Sequence, residues 1–101
     1  MKSILNGEIH VMNNFMMGPN CIIYTKNHCF ACSDIPMNKQ GEIQERPVII
    51  DDDVWIGSNV IVLPGVMIRK HCIVGVGSVV TKSILEKAIV SGNLARIIRF
   101  R

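Results

Sequence analysis

From Ile50 onward an apolar residue returns every six positions: Ile50, Ile56, Val62, Ile68, Val74 and Val80. Four residues after each comes another compact side chain: Val54, Val60, Val66, Cys72, Ser78 and Ile84. The first 28 residues keep the same register, with Leu5, Val11, Met17 and Ile23 leading and Ile9, Phe15, Cys21 and Asn27 following. A helix repeats every 3.6 residues and an alternating strand every 2, so neither explains a period of six. Six residues suit a short strand plus a corner. Three such sides close a triangular coil of 18 residues, and coils stack as parallel strands about 4.8 Å apart. The leading residue points into the prism and the plus-four residue packs near the corner. The glycines after leading positions, Gly57 and Gly75, are expected to supply positive φ there.

The expected fold class is therefore all-β, a parallel β-helix of about three coils. A β-sandwich has no reason to hold a period of six through two segments. Composition agrees. Val and Ile number 27 against 7 for Ala and Leu, which disfavours a helical bundle. Hydrophobic residues at 49% and charged residues at 19% exclude a disordered chain. Ile68, with a full hexad on either side, is expected to be buried. Asn59, at plus three, is expected to tolerate substitution.

One segment breaks the period. Ile23 to Ile50 is 27 residues, not a multiple of six. The excess is assigned to 29–47, with two prolines and mixed polarity, as an extruded loop that leaves after His28 and rejoins near Val48. The chain then divides into first coils (1–28), the loop (29–47), remaining coils (48–85) and a C-terminal tail (86–101). The tail has lost the period and is expected to fold back along one face. A net charge of +3 is too mild to argue for nucleic acid. No apolar run is long enough to span a bilayer, and none follows Lys2 as a secretory signal would require. Cys21, Cys29, Cys32 and Cys72 do not form the framework of a secreted mini-protein, so a cytoplasmic setting is expected.

The pieces PVIIDDDVWIGSNVIVLPGV (47–66), VGVGSVVTK (74–82) and SGNLARIIR (91–99) resemble the hexapeptide-repeat acyltransferases of left-handed β-helix fold. The likeness is to the maltose and galactoside O-acetyltransferase type. IYTKNHCF (23–30) and DIPMNKQG (34–41) resemble its catalytic segment and acceptor loop. The resemblance implies acetyl-CoA as co-substrate, no metal, a sugar or glycan hydroxyl as acceptor, and a homotrimer with CoA between neighbouring subunits. It implies His28 as general base, suited because imidazole titrates near working pH. The backbone N–H of Ser58 is implied as oxyanion donor. Trp55, Ser58, Val76, Thr81, Lys82, Arg96 and Arg99 are the matched CoA positions, and Asn27, Asp34 and Met37 the acceptor positions. Departures are Val76 where the family often has Ala, Leu94 where it has Pro, and Asp51 where Gly is common. Relatives also carry a further N-terminal portion, so this chain reads as a minimal or truncated member.

Other readings compete. His10, His28 and His71 invite comparison with β-helical zinc enzymes. His10 and His28, 18 residues apart, are expected to stack in one column, but His71 occupies another slot and no third ligand follows. Cys29 and Cys32 form a lone CxxC without the βαβ unit of a redox motif. A non-catalytic trimeric scaffold, or an acetyltransferase acting on an amine or foreign compound, would carry the same repeats.

Overall fold

The hexads form short strands stacked in three sheets. The structure, a computed structural model, describes residues 4–5, 8–26, 33–41 and 46–101. In chain order the strands are β1 (Ile4–Leu5), β2 (Ile9–Val11), β3 (Met16–Met17), β4 (Ile22–Ile23), β5 (Val48–Ile50), β6 (Trp55–Ile56), β7 (Ile61–Val62), β8 (Met67–Ile68), β9 (Ile73–Val74), β10 (Val79–Val80), β11 (Ala88–Ser91) and β12 (Arg96–Phe100). The sheets run β1-β4-β7-β10, β2-β5-β8 and β3-β6-β9-β11-β12. Strands inside each sheet thus pair with the strands one circuit before and after them, and the edge strands pair on one side only. All pairings are parallel except β11 with β12. This is a parallel β-helix.

Most strands are two residues long, and their side chains alternate out and in. Ile50, Ile56, Val62, Ile68, Val74 and Val80 fill the prism at 0–1% exposure, and the plus-four residues Val54, Val60, Val66, Cys72 and Ser78 are buried with them. Each such aliphatic contributes about 1.5–3 kcal/mol by leaving water. Ser78 is satisfied there by donating its hydroxyl to Gly75 O at 2.7 Å. The thiols of Cys21 and Cys72 likewise donate to Gly57 O and Leu85 O. Burial pushes the Cys72 thiol up from its ordinary pKa. Val11 departs from the pattern. It holds a leading position yet is 41% exposed, because β2 has a strand on one side only.

The glycine expectation needs correction. Neither Gly57 nor Gly75 has positive φ. They are glycines because a Cβ at 57 would lie 2.9 Å from Val76 N and one at 75 would lie 3.0 Å from Ser91 Oγ. Left-handed corners fall instead to Asn14, Asp53, His71 and Lys87 in one stack and to Asn20, Asn59 and Gly77 in another. Asn and Asp tolerate that conformation because their short polar side chains bond locally. Each stack is laced by backbone bonds, such as His71 N to Asp52 O and Asn59 N to Pro19 O, both at 3.0 Å. Asn59 is therefore constrained by a φ of 58°, and the expectation that it tolerates substitution fails for β-branched residues.

Ile84 also moves. By period it is a plus-four residue after Val80. In the structure it bridges Ile68 and so takes a leading slot, and Val90 pairs with Val74 six residues later. The last circuit is thus two residues short, and the repeat continues through β11 before β12 turns back. At the insertion, Arg46 N donates to Thr25 O at 2.8 Å, and Gly65 N donates to Arg46 O at 3.1 Å. The chain therefore re-enters the coil at Arg46. The described part of the loop contains one 3-10 turn, Met37–Lys39.

The insertion changes which residue stacks on His10. Its in-register partner is Ile49, so the slot a gapless coil would give residue 28 is occupied. His28 itself lies outside the described residues, and His10 pairs with Glu8 at 2.9 Å.

Candidate functional site

Two-residue strands leave their first side chain outward. On the five-stranded sheet this aligns Met16, Trp55, Ile73, Ile89 and Arg99 in one row across the outer face. Trp55 is 52% exposed at the second rung. Arg99 lies three strands away, about 14 Å at ordinary strand spacing. Arg96 stands opposite Ser91, whose side chain abuts Gly75.

Where that sheet turns into the next, Ser58 and Val76 stack at the corner. Gly57 backs onto Val76, which is 69% exposed, and Gly77 N donates to Ser58 O at 2.9 Å. The Ser58 N–H donates to no acceptor among the described residues. Gly18 leaves it reachable, since a Cβ at 18 would lie 2.7 Å from that nitrogen. Trp55, Ser58, Val76, Arg96 and Arg99 are thus gathered on one face and its adjoining corner.

Thr81 and Lys82 are not gathered with them. They follow β10 at the next corner, Thr81 half-buried and Lys82 exposed. Asp34 and Met37 are exposed in the loop. His28 and Asn27 lie outside the described residues, as do Cys29 and Cys32. Among the described residues, no group of three or more His, Cys, Asp or Glu could hold a metal ion. No helix there is long and apolar enough to cross a membrane.

A second polar cluster escaped the sequence reading. His71 Nδ1 donates to Asp53 Oδ2 at 2.8 Å, and Arg101 Nη1 approaches the same oxygen at 3.4 Å. The bond from His71 is the main reason the Asp53 carboxyl is held below its ordinary 3.8; slight desolvation opposes it, and Arg101 adds to the lowering. The signal was present, because Asp53 and His71 are 18 residues apart with no insertion between them.

Comparison with known proteins fits this geometry. Residues 47–82 match the bacterial transferase hexapeptide family of six repeats. The chain is 40% identical over 86 residues to a galactoside O-acetyltransferase of Lactococcus lactis, covering 85% of this chain and 40% of the relative. Among solved structures, a galactoside acetyltransferase in complex with coenzyme A superposes with a TM-score of 0.81 at 33% identity, covering 91% of this chain and 44% of the other. A maltose O-acetyltransferase from Clostridium difficile superposes at 0.78 with 28% identity, covering 98% of this chain and 66% of the other. The chain spans under half the length of the curated relatives it matches.

Proposed function

We propose that this chain, a hexapeptide-repeat protein of left-handed β-helix fold similar to the galactoside and maltose O-acetyltransferases, transfers an acetyl group from acetyl-CoA to a hydroxyl of a sugar or glycan precursor. The observation that carries the reading is the superposition of nearly the whole chain on a CoA-bound acetyltransferase. The open Ser58 N–H supports it. The acceptor hydroxyl gives its proton to the imidazole of His28 as its oxygen attacks the thioester carbonyl. The oxyanion that forms accepts a bond from Ser58 N–H. Collapse breaks the C–S bond, and the imidazolium returns the proton to the departing thiolate, yielding the O-acetyl ester and CoA thiol. No metal enters this scheme.

In this reading Trp55, Val76 and Thr81 meet the pantetheine arm, and Lys82, Arg96 and Arg99 meet the phosphates as charge-assisted donors. Asn27, Asp34 and Met37 face the acceptor. Flat prism walls suit a long ligand poorly, whereas a second copy beside the Trp55 face would make a cleft. The corner carrying Thr81 and Lys82 then serves a neighbouring copy's site in a cyclic homotrimer, which we place in the cytoplasm.

His28→Ala tests the mechanism. It is expected to lower kcat by about 10²–10⁴-fold and leave CoA affinity nearly unchanged. His10→Ala should do far less. Wild-type turnover in the His28 variant removes that residue from the mechanism. No turnover across sugar, amine and antibiotic acceptors favours a scaffold, and sedimentation of an active monomer rejects the shared site.

A further inference from the structure

The corner stack that carries His71 holds ionisable side chains that acetyl transfer does not use. His71 lies in the turn between β8 and β9, Lys87 in the turn before β11, and Arg101 just after β12. A depression of about 300 Å³ opens between these three side chains. All three carry nitrogen donors. Asp53, one coil below His71, binds the far side of two of them, accepting from His71 Nδ1 and Arg101 Nη1. Arg101 Nη1 also donates to His71 O at 3.2 Å, and Arg101 N to Lys87 O at 2.8 Å.

These bonds fix the imidazole and the guanidinium while using only part of each. Nε2 of His71 has no hydrogen-bond partner among the described residues, and the Nε and Nη2 of Arg101 and the ammonium of Lys87 have no acceptor there. Of the side chains bonded to one another here, one carboxylate is set against two permanent cations, while the Asp52 carboxylate alongside accepts from Asn13 N. Lys70 and Glu86 precede His71 and Lys87 in the chain, are exposed, and cancel in formal charge.

We propose that this corner is a phosphoryl-binding site, separate from the CoA positions, that takes free phosphate or the phosphate of a small ester. The Lys87 ammonium, the remaining N–H groups of Arg101 and, when the imidazole is protonated, His71 Nε2–H converge on one open volume, which matches a tetrahedral oxyanion better than a planar carboxylate. A planar guanidinium braced by a carboxylate is preorganised for such an ion. The opening to solvent leaves room for the remainder of an ester. The site does not depend on the acetyl-transfer reading.

The test follows the His71 imidazole by NMR in the full chain. Inorganic phosphate and a sugar phosphate are titrated at constant ionic strength, with chloride as control. Saturable shifts at His71 and not at His10 are expected. Lys87→Asn and Arg101→Gln should each weaken binding about tenfold, the worth of one charge-assisted bond. Asn is chosen at 87 because that residue has a φ of 65°. Equal affinity for both probes identifies free phosphate as sufficient; tighter binding of the sugar phosphate identifies an ester. Unsaturable shifts, an equal response to chloride, or wild-type affinity in Lys87→Asn overturns the site. CoA affinity should be unaffected by Lys87→Asn. A loss seen with CoA but not with dephospho-CoA would assign the corner to the nucleotide end of CoA and overturn a separate site.

Discussion

Val11 and Ile50 sit in register on neighbouring strands, yet one is 41% exposed and the other fully buried. Both lead a hexad. β5 has a strand on each side, whereas β2 has one. The repeat therefore fixes the direction a side chain takes, and stacking on both sides decides whether that direction is dry. The other end of the prism is closed differently. There β12 runs antiparallel beside β11, and Val90 is only 3% exposed. Judged by the residues that point into the prism, the first coil is the less protected end among the described residues, with Val11 at 41% exposure against 3% for Val90.

Charge insertion gives the largest contrast. Ile68→Asp would leave an unpaired carboxylate among aliphatics and is expected to cost more than about 4 kcal/mol, most of a small domain's stability. Val11→Asp can turn to water and should cost about 1 kcal/mol or less. Circular dichroism and thermal melting measure both. A folded, soluble Ile68→Asp chain would break the register assigned to the coils. An unfolded Val11→Asp chain would mean that the first coil is packed as tightly as the middle.

Close approach gives the next contrast. A methyl at Gly57 meets the Val76 backbone from the middle coils, where neither side can give way. Gly57→Ala should cost about 2–3 kcal/mol. A methyl at Gly18 meets Ser58 even more closely, at 2.6–2.9 Å. The first coil can shift outward, so Gly18→Ala should cost only about 1 kcal/mol. Equal costs would show that the first coil is as immobile as the rest. If acetyl transfer is the activity, Gly18→Ala should also lower kcat more than its stability cost implies, because it crowds the Ser58 N–H.

The comparison also explains what could be read before the structure. The leading residues were legible because direction is local, and six positions suffice to show it. Exposure of Val11 was not, since it depends on what lies beyond the coil. Ile84 was misplaced because a side of four residues looks like a plus-four position when only the period is counted. The Asn corners were overlooked because glycine is the commoner source of positive φ, while here Gly57 and Gly75 serve close packing. The in-register neighbour of His10, Ile49, could not be read from a count of 18, because the insertion shifts the numbering between the coils. The candidate site was legible only through likeness. Spacing alone does not tell an outward Trp55 that meets a ligand from an outward Met16 that meets water.

The smallest expected effect concerns how the better-protected end is fastened. Asp53 joins the second coil to His71 in the third and to Arg101 beyond β12. Its carboxyl is held below 3.8 in the folded chain, mainly by the bond from His71. A carboxyl whose folded pKa is depressed binds its proton less readily when folded. Its contribution is therefore complete above the unfolded value and lost as pH falls through the folded one. Wild-type melting temperature should fall on acidification below pH 3.8, and Asp53→Asn should flatten part of that fall. The variant should also melt slightly lower at pH 7 and match wild type at the acid limit. The pairs are exposed, so salt should shrink the difference. An unchanged acid slope would show that the clasp contributes nothing to closing this end, leaving the pairing of β11 with β12 to do so alone.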